Sequence, residues 1–599
     1  MTEIRPIDLP EKDIPLRSDV SLLGSLVGDV LADQHGRQLL DRVEAVRKAS
    51  IRSREGSGQY ESLDDALAGL EAQDAMLLIQ AFASYLRAVN LAEKVHRIRR
   101  RRAYQREGAS AQQGSLEAVL AELAAAGLDP EALADAINNL RIQPVFTAHP
   151  TEATRRTIQE KEYDIVLRLV ERLNPELTPG EEKLALQRIR AAITSSWQTR
   201  LVPHARPTVA DELDNILFYI TDILYRVVPA FYEAVEQAYQ GQFGDTPPGF
   251  LKRIILRFGS WVGGDMDGNP NVTSTTILET LARQRAVIIE RYQPDIRRLG
   301  RYLSQSETEI GISAGVINQL RRYRELLPDI SRSIPERHRE MPYRCLLKMV
   351  AGRLQATLED SGQGYSTAGE FAGDIRLIHD SLLENRGEHA GLFGIKRLLR
   401  RIETFGFHLV TLDVRQDALL HRRVMGELLG CTDWESRDPA GRAATLSHML
   451  ERDSLPQCSP GDDVSDEAAE TLAVFKAIST ARQMYGNGAI GLFIISMTQG
   501  ADDVLTALAL SEIANPHTGA SSQLDIAPLL ETVDDLQAGP AIIEDLLAQG
   551  VYRKHVTELN KRQAVMVGYS DSNKYSGIVA SRWALHEAQR LLVDAGEDH

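Results

Sequence analysis

Apolar residues in roughly the first 140 positions recur at helical spacing, with almost no strand signal. The same pattern is sharpest further on. Thr208 and Asp211 stand three apart, as at a helix start, and Leu213, Leu217, Ile220, Leu224 and Val227 follow at helical intervals. Loops rich in Gly, Ser, Pro and acids punctuate the chain, among them QGQFGDTPPG, EDSGQGYSTAG and SLPQCSPGDDVSDE. Against this helical background stand six short apolar runs: QPVFTAHP, IILRFGSW, HLVTLDVRQ, AIGLFIISMT, LDIAPLLET and QAVMVGYSDS. Each has the length and composition of a buried strand, and helical sequence separates each from the next. That alternation predicts parallel strands joined by crossover helices.

The expected fold is therefore mostly α around an α/β barrel. A helical region covers 1–140, and a partial barrel with large helical insertions covers 141–599. A closed barrel of this type has eight strands, with its chemistry at their C-terminal ends. Six are visible, and a seventh is due after the helix-like RWALHEAQRLLVDAG, so the sequence is expected to be interrupted before the barrel closes.

Composition narrows the function classes. The formal charge is −16, from 84 acids against 68 bases, which argues against a general nucleic-acid surface. The basic run HRIRRRRAYQR continues a helical pattern and is expected to be an ion-paired or interface face. Cys345, Cys431 and Cys458 have no metal-ligand or redox spacing, as expected of reduced thiols. No signal-peptide pattern opens the chain, and no uninterrupted apolar run approaches the ~18 residues of a membrane span. A cytoplasmic protein without membrane or nucleic-acid partners is expected.

Chemistry gathers where the runs end. His149 follows VFTA and precedes Pro150, which disfavours helix, so a strand-end loop beside Arg155 and Arg156 is expected. Such a histidine suits proton transfer near an anion, although a structural histidine is equally consistent. In FGSWVGGDMDGNPNVT, Asp265, Asp267 and Asn269 alternate like a calcium loop. Pro270 and Thr276 occupy the positions of the turn glycine and the bidentate glutamate, so a rigid loop is expected instead. Asp413 and Arg415, two apart, face one side of a strand. They form either a structural pair or a phosphate site. Glu531 and Asp571 end neighbouring strand runs and could hold a divalent ion together. Lys574 adds a cation, and Asp534 and Asp535 are expected to be helix-start acids. GNGAIG precedes a strand rather than following one, which removes the context for dinucleotide binding.

Taken in order, VFTAHPTEATRRT, FGSWVGGDMDGNPNVT, LVTLDVRQ, PLLETVDDL and VGYSDSNK resemble the phosphoenolpyruvate carboxylases, over about residues 90–590. The resemblance implies a TIM-type barrel, a homotetramer when full length, and Mg2+ or Mn2+ as cofactor. Its substrates would be phosphoenolpyruvate and bicarbonate, giving oxaloacetate and phosphate. It further implies Glu531 and Asp571 as metal ligands, His149 as catalytic, Arg415 beside the substrate phosphate, and Lys574 as the lysine after the metal-binding aspartate. Met266 stands where an arginine is usual, and Tyr575 and Ser576 replace acidic and small residues. The family's glycine-rich catalytic loop is expected beyond His599, so the isolated chain is expected to be inactive. A regulatory or assembly subunit, or another metal-assisted enzyme acting on a phosphorylated acid, are the alternatives.

Overall fold

A computed structural model describes residues 10–55, 63–108, 111–147, 155–200, 207–457, 463–516 and 524–597. His149 and Cys458 lie outside the described residues. The chain packs as two compact units, residues 1–118 with 150–206, and residues 119–149 with 207–599.

The first unit is helical. Helices Ile14–His35, Arg37–Glu55, Ala72–Glu107, Arg156–Glu171 and Pro179–Trp197 bury Leu23, Val27, Leu91, Val95, Ile189 and Trp197 in one core. The basic run lies on the helix Ala72–Glu107 and is partly ion-paired: Arg97 bonds Glu93 at 2.6 Å and Arg99 bonds Asp19 at 2.6 Å. This helix, alone among the described residues, is long and apolar enough to cross a membrane by length and composition. Gln80, Ser84 and Arg87 interrupt its apolar stretch, and it buries Leu78, Ala81, Ala88 and Leu91 in the unit's core.

Among the described residues the second unit holds six strands: β1 (Val145–Phe146), β2 (Gly259–Ser260), β3 (Thr411–Asp417), β4 (Ile490–Ser496), β5 (Asp525–Leu530) and β6 (Met566–Val567). Their order in the sheet is their order in the chain, and every pairing is parallel. The sheet curls as half a barrel. Among the described residues β1 and β6 have a strand neighbour on one side only. Each run identified by its apolar content is a strand, although β1, β2 and β6 keep only two paired residues each.

Alternation assigns the faces. Leu412, Val414, Phe493, Ile495 and Ile526 join the core shared with the surrounding helices. Ile494, Ala527 and Leu529 instead meet Trp261, Leu492 and Met566 on the inner face. Asp413 and Arg415 alternate with Leu412 and Val414 and therefore belong to the inner face.

The helix foreseen from Thr208 forms, with a reciprocal cap between Thr208 and Asp211. Its apolar spacing then slips. A π-helical segment, Tyr219–Leu224, adds residues to a turn and shifts the phase. Val228 is consequently buried, while Val227, expected on the apolar face, is 48% exposed.

Candidate active site

The carboxyl ends of β2, β3, β5 and β6 bring together Asp265, Asp267, Arg415, Glu531 and Asp571. Arg415 anchors the group. Its Nε donates to Asp265 at 2.9 Å and its Nη2 to Asp267 at 2.9 Å, and its guanidinium lies 5.2 Å from the centre of the Trp261 ring. Among the described residues Nη1 has no partner. The loop after β2 is held to the strand by backbone bonds, from Arg415 N–H to Gly264 and from Met266 N–H to Arg415, each 2.9 Å. Successive side chains on this loop diverge. Asp265 and Asp267 turn to Arg415, whereas Met266 packs against the outer core. Nothing in the structure explains methionine at position 266.

Of the two alternatives for Asp413 and Arg415, a structural pair or a phosphate site, the structural pair does not form. Asp413 is 2% exposed and accepts the Leu492 N–H at 2.9 Å, at an irregularity in the β3–β4 register. Burial pushes its carboxyl up to about 6. Arg415 instead bonds Asp265 and Asp267, some 150 residues away in sequence.

Glu531 follows β5 directly. Thr532 and Asp535 cap the helix Val533–Ala548 reciprocally, so Asp535 serves as the helix-start acid expected of it. Glu531 is half-buried and has no hydrogen bond or ion pair among the described residues. Burial raises its pKa; Arg415 opposes that rise, and Asp571 and Asp267 add to it. Gly568 makes this closeness possible. A side chain there would begin 2.9 Å from the Glu531 backbone, and its N–H donates to Leu530 at 2.7 Å. Asp571 lies in the helix Tyr569–Ser576 that follows, and Lys574, one turn on, donates to it at 2.9 Å from an exposed position.

No group of three or more His, Cys, Asp or Glu side chains arranged to hold a metal occurs among the described residues. Two carboxylates still suit magnesium or manganese, which commonly take one or two protein ligands and fill the shell with water and substrate oxygens. The unpartnered Glu531, already crowded by neighbouring negative charge, fits that demand.

A sequence model described as Phosphoenolpyruvate carboxylase matches residues 16–599. The chain belongs to the phosphoenolpyruvate carboxylase family. A phosphoenolpyruvate carboxylase of Xanthomonas oryzae pv. oryzae is 46% identical over 590 residues, covering 98% of this chain and 64% of the relative. Those of Azoarcus sp. (strain BH72) and Nitrosomonas eutropha are 35% and 33% identical, each over 98% of this chain and over 66% and 64% of the relative. The chain thus spans about two thirds of the length of the carboxylases it resembles. Within this family frame the site joins the expected Arg415, Glu531, Asp571 and Lys574 with three residues whose part was not foreseen: Trp261, Asp265 and Asp267. The acids of GGDMDGNP were conspicuous by spacing, but no local signal tied them to an arginine on another strand.

Proposed function

We propose that this chain binds phosphoenolpyruvate and a divalent metal as part of an enzyme that carboxylates phosphoenolpyruvate with bicarbonate, yielding oxaloacetate and phosphate. The observation that carries this reading is an unpartnered, half-buried Glu531 beside Asp571, facing an arginine anchored by two aspartates. Glu531 and Asp571 would hold Mg2+ or Mn2+. When bound, that ion supplies Lewis-acid stabilisation of phosphoryl and enolate oxygens.

Arg415 presents Nη1 to the substrate phosphoryl group while Asp265 and Asp267 fix its plane, the arrangement that makes a guanidinium selective for such oxygens. Lys574 binds the substrate once it leaves Asp571, an exchange made easy by the weakness of exposed ion pairs. Bicarbonate attacks phosphorus, giving carboxyphosphate and the enolate of pyruvate. His149, assigned from its place in VFTAHPTEATRRT, takes the carboxyphosphate proton. Carbon dioxide and phosphate separate, and the enolate carbon attacks carbon dioxide.

The half-barrel is read as six strands of an eight-stranded TIM-type barrel, within residues 141–599, after a helical region over 1–140. The whole protein is read as a cytoplasmic homotetramer. An enolate formed at a sheet open along β6 would meet water and end as pyruvate, so the 599-residue chain alone is expected not to make oxaloacetate.

Calorimetry of the 599-residue chain tests the binding. Phosphoenolpyruvate should bind only with Mn2+ present, and Arg415→Met, Glu531→Gln and Asp571→Asn should each weaken it by about tenfold or more, the scale of a lost charge-assisted contact. Binding indifferent to all three substitutions would remove the proposed site. A malate-dehydrogenase-coupled assay should read no oxaloacetate from this chain, and turnover there would refute the inactivity.

A further inference from the structure

One layer below Arg415 on the inner face of the sheet, β3 carries the buried carboxylate of Asp413, and the strands on either side leave room for it. On the β4 side, a side chain at Gly491 would begin 2.2 Å from Asp413 Oδ1, so glycine there leaves the space that the carboxylate fills. At the register irregularity between Leu412 and Val414, the Leu492 N–H donates to the same oxygen at 2.9 Å. On the β2 side, Gly259 pairs with Thr411 and Ser260 with Leu412. One further step in that register brings Trp261 beside Asp413. The Trp261 indole N–H is buried without a well-formed hydrogen bond, and the carboxylate that it stabilises is that of Asp413.

The same ring belongs to the anion site. Asp265 and Asp267 hold two edges of the Arg415 guanidinium, through Nε and Nη2 at 2.9 Å each, and the Trp261 ring meets it with 5.2 Å to the ring centre. Contacts thus run from Asp413 through Trp261 to Arg415. A residue that only filled the space below Arg415 could be apolar and would avoid the cost of taking a carboxyl out of water. A carboxylate adds what an apolar side chain lacks, two acceptor oxygens, one for the Leu492 N–H and one for the Trp261 N–H.

We propose that Asp413 is a positioning residue for the anion site, fixing the Trp261 indole and through it the Arg415 guanidinium, and that it does so only while ionised. The proposal rests on the reading of Arg415 as the group that binds the substrate phosphoryl. Protonation puts a hydrogen on one carboxyl oxygen. With the other oxygen committed to Leu492, the indole N–H then faces a donor. Burial pushes this carboxyl up to about 6, so the change falls just below neutral pH. Asp525 acts on it from β5 and is itself ion-paired with Arg562, while β4 carries no titratable residue. On β3 the charged neighbours are Arg415 and Asp417, and on the loop after β2 Asp265 is bonded to Arg415.

The intact 599-residue chain labelled with 5-fluorotryptophan reports on the ring directly. Its four tryptophans give four fluorine resonances, and the one missing from Trp261→Phe belongs to Trp261. That resonance should move between about pH 4.5 and 7.5 with a midpoint near 6, and in Asp413→Asn it should stay near the parent's low-pH position. Asparagine gives its oxygen to Leu492 and turns an NH2 to the indole, the arrangement of the protonated acid in a side chain that cannot ionise. Phosphoenolpyruvate titrated calorimetrically with Mn2+ should bind Asp413→Asn about fivefold more weakly than the parent at about pH 7.5, the scale of a displaced cation–π contact. At about pH 5 the gap should close to within about twofold, because Asp413 of the parent is then mostly protonated. A Trp261 resonance that ignores pH, one that responds equally in Asp413→Asn, or an affinity gap of the same size at both pH values would overturn the proposal. Failure of the parent to bind phosphoenolpyruvate would instead sink the phosphoryl reading of Arg415, and the resonance would still decide whether Asp413 orients Trp261.

Discussion

Asp413 is an acid placed where acids are costly. It is 2% exposed, and the bond it accepts from Leu492 N–H does not offset its loss of water, so its carboxyl is pushed from 3.8 up to about 6. A folded-state pKa above the unfolded one contributes stability that is complete below the unfolded value. That contribution is lost as pH rises through the folded value. A rise of this size corresponds to about 3 kcal/mol in all, so ionised Asp413 burdens the fold above pH 6. In Asp413→Asn the side chain keeps an oxygen to accept the Leu492 N–H and cannot ionise. The Asp413→Asn protein should therefore gain on its parent by about 2 kcal/mol between about pH 4.5 and 7.5, read as the change in their difference of urea-unfolding free energy. A difference that does not vary with pH would refute the assignment. Buried His408 and His421, each held down to about 4, have the opposite sign, losing stability as pH falls from 6.5. They are present in both proteins and cancel.

At the scale of elements, the strands were legible because their composition and lengths departed so clearly from the helical background. All six stand where the apolar runs end in polar residues. What local pattern could not carry was phase and partnership. The π-helical segment at Tyr219–Leu224 displaced Val227 from the apolar face, and Arg415 bonds acids on another loop rather than its strand neighbour Asp413. That choice depends on how closely the loop after β2 approaches β3. A side chain at Gly264 would start 2.1 Å from the Asp413 carbonyl oxygen, a backbone atom that cannot swing away. Gly264→Ala should thus cost about 2–3 kcal/mol or more in urea unfolding, the range of overpacked sites. It should also weaken phosphoenolpyruvate binding, because Asp265 and Asp267 move off Arg415. Stability and binding that both match the parent would show that the approach is looser than described.

For the molecule as a whole, family membership was readable from five motifs in order, while the site's assembly needed the fold. Glu531 and Asp571 are 40 residues apart in sequence and meet only because β5 and β6 pair and Gly568 lets the backbones close. The segment after β6 also exposes apolar side chains. Beyond β6, which lacks a second strand neighbour among the described residues, Tyr575, Ile578, Val579 and Trp583 expose large apolar surfaces, 82% in the case of Tyr575. Single exposed apolar residues are ordinary, but four within nine positions form a patch of the kind that marks an interaction surface. In the 599-residue chain that patch should bind the dye ANS without any unfolding. Val579→Ser with Trp583→Ser should lower the bound-dye signal by about half or more, since these two residues supply much of the exposed apolar area. The thermal midpoint should stay near the parent's, because neither side chain contributes to the buried core. Dye binding unchanged by the double substitution would mean that the exposed patch lies elsewhere, and would leave the open side of the sheet without an apolar surface to cover.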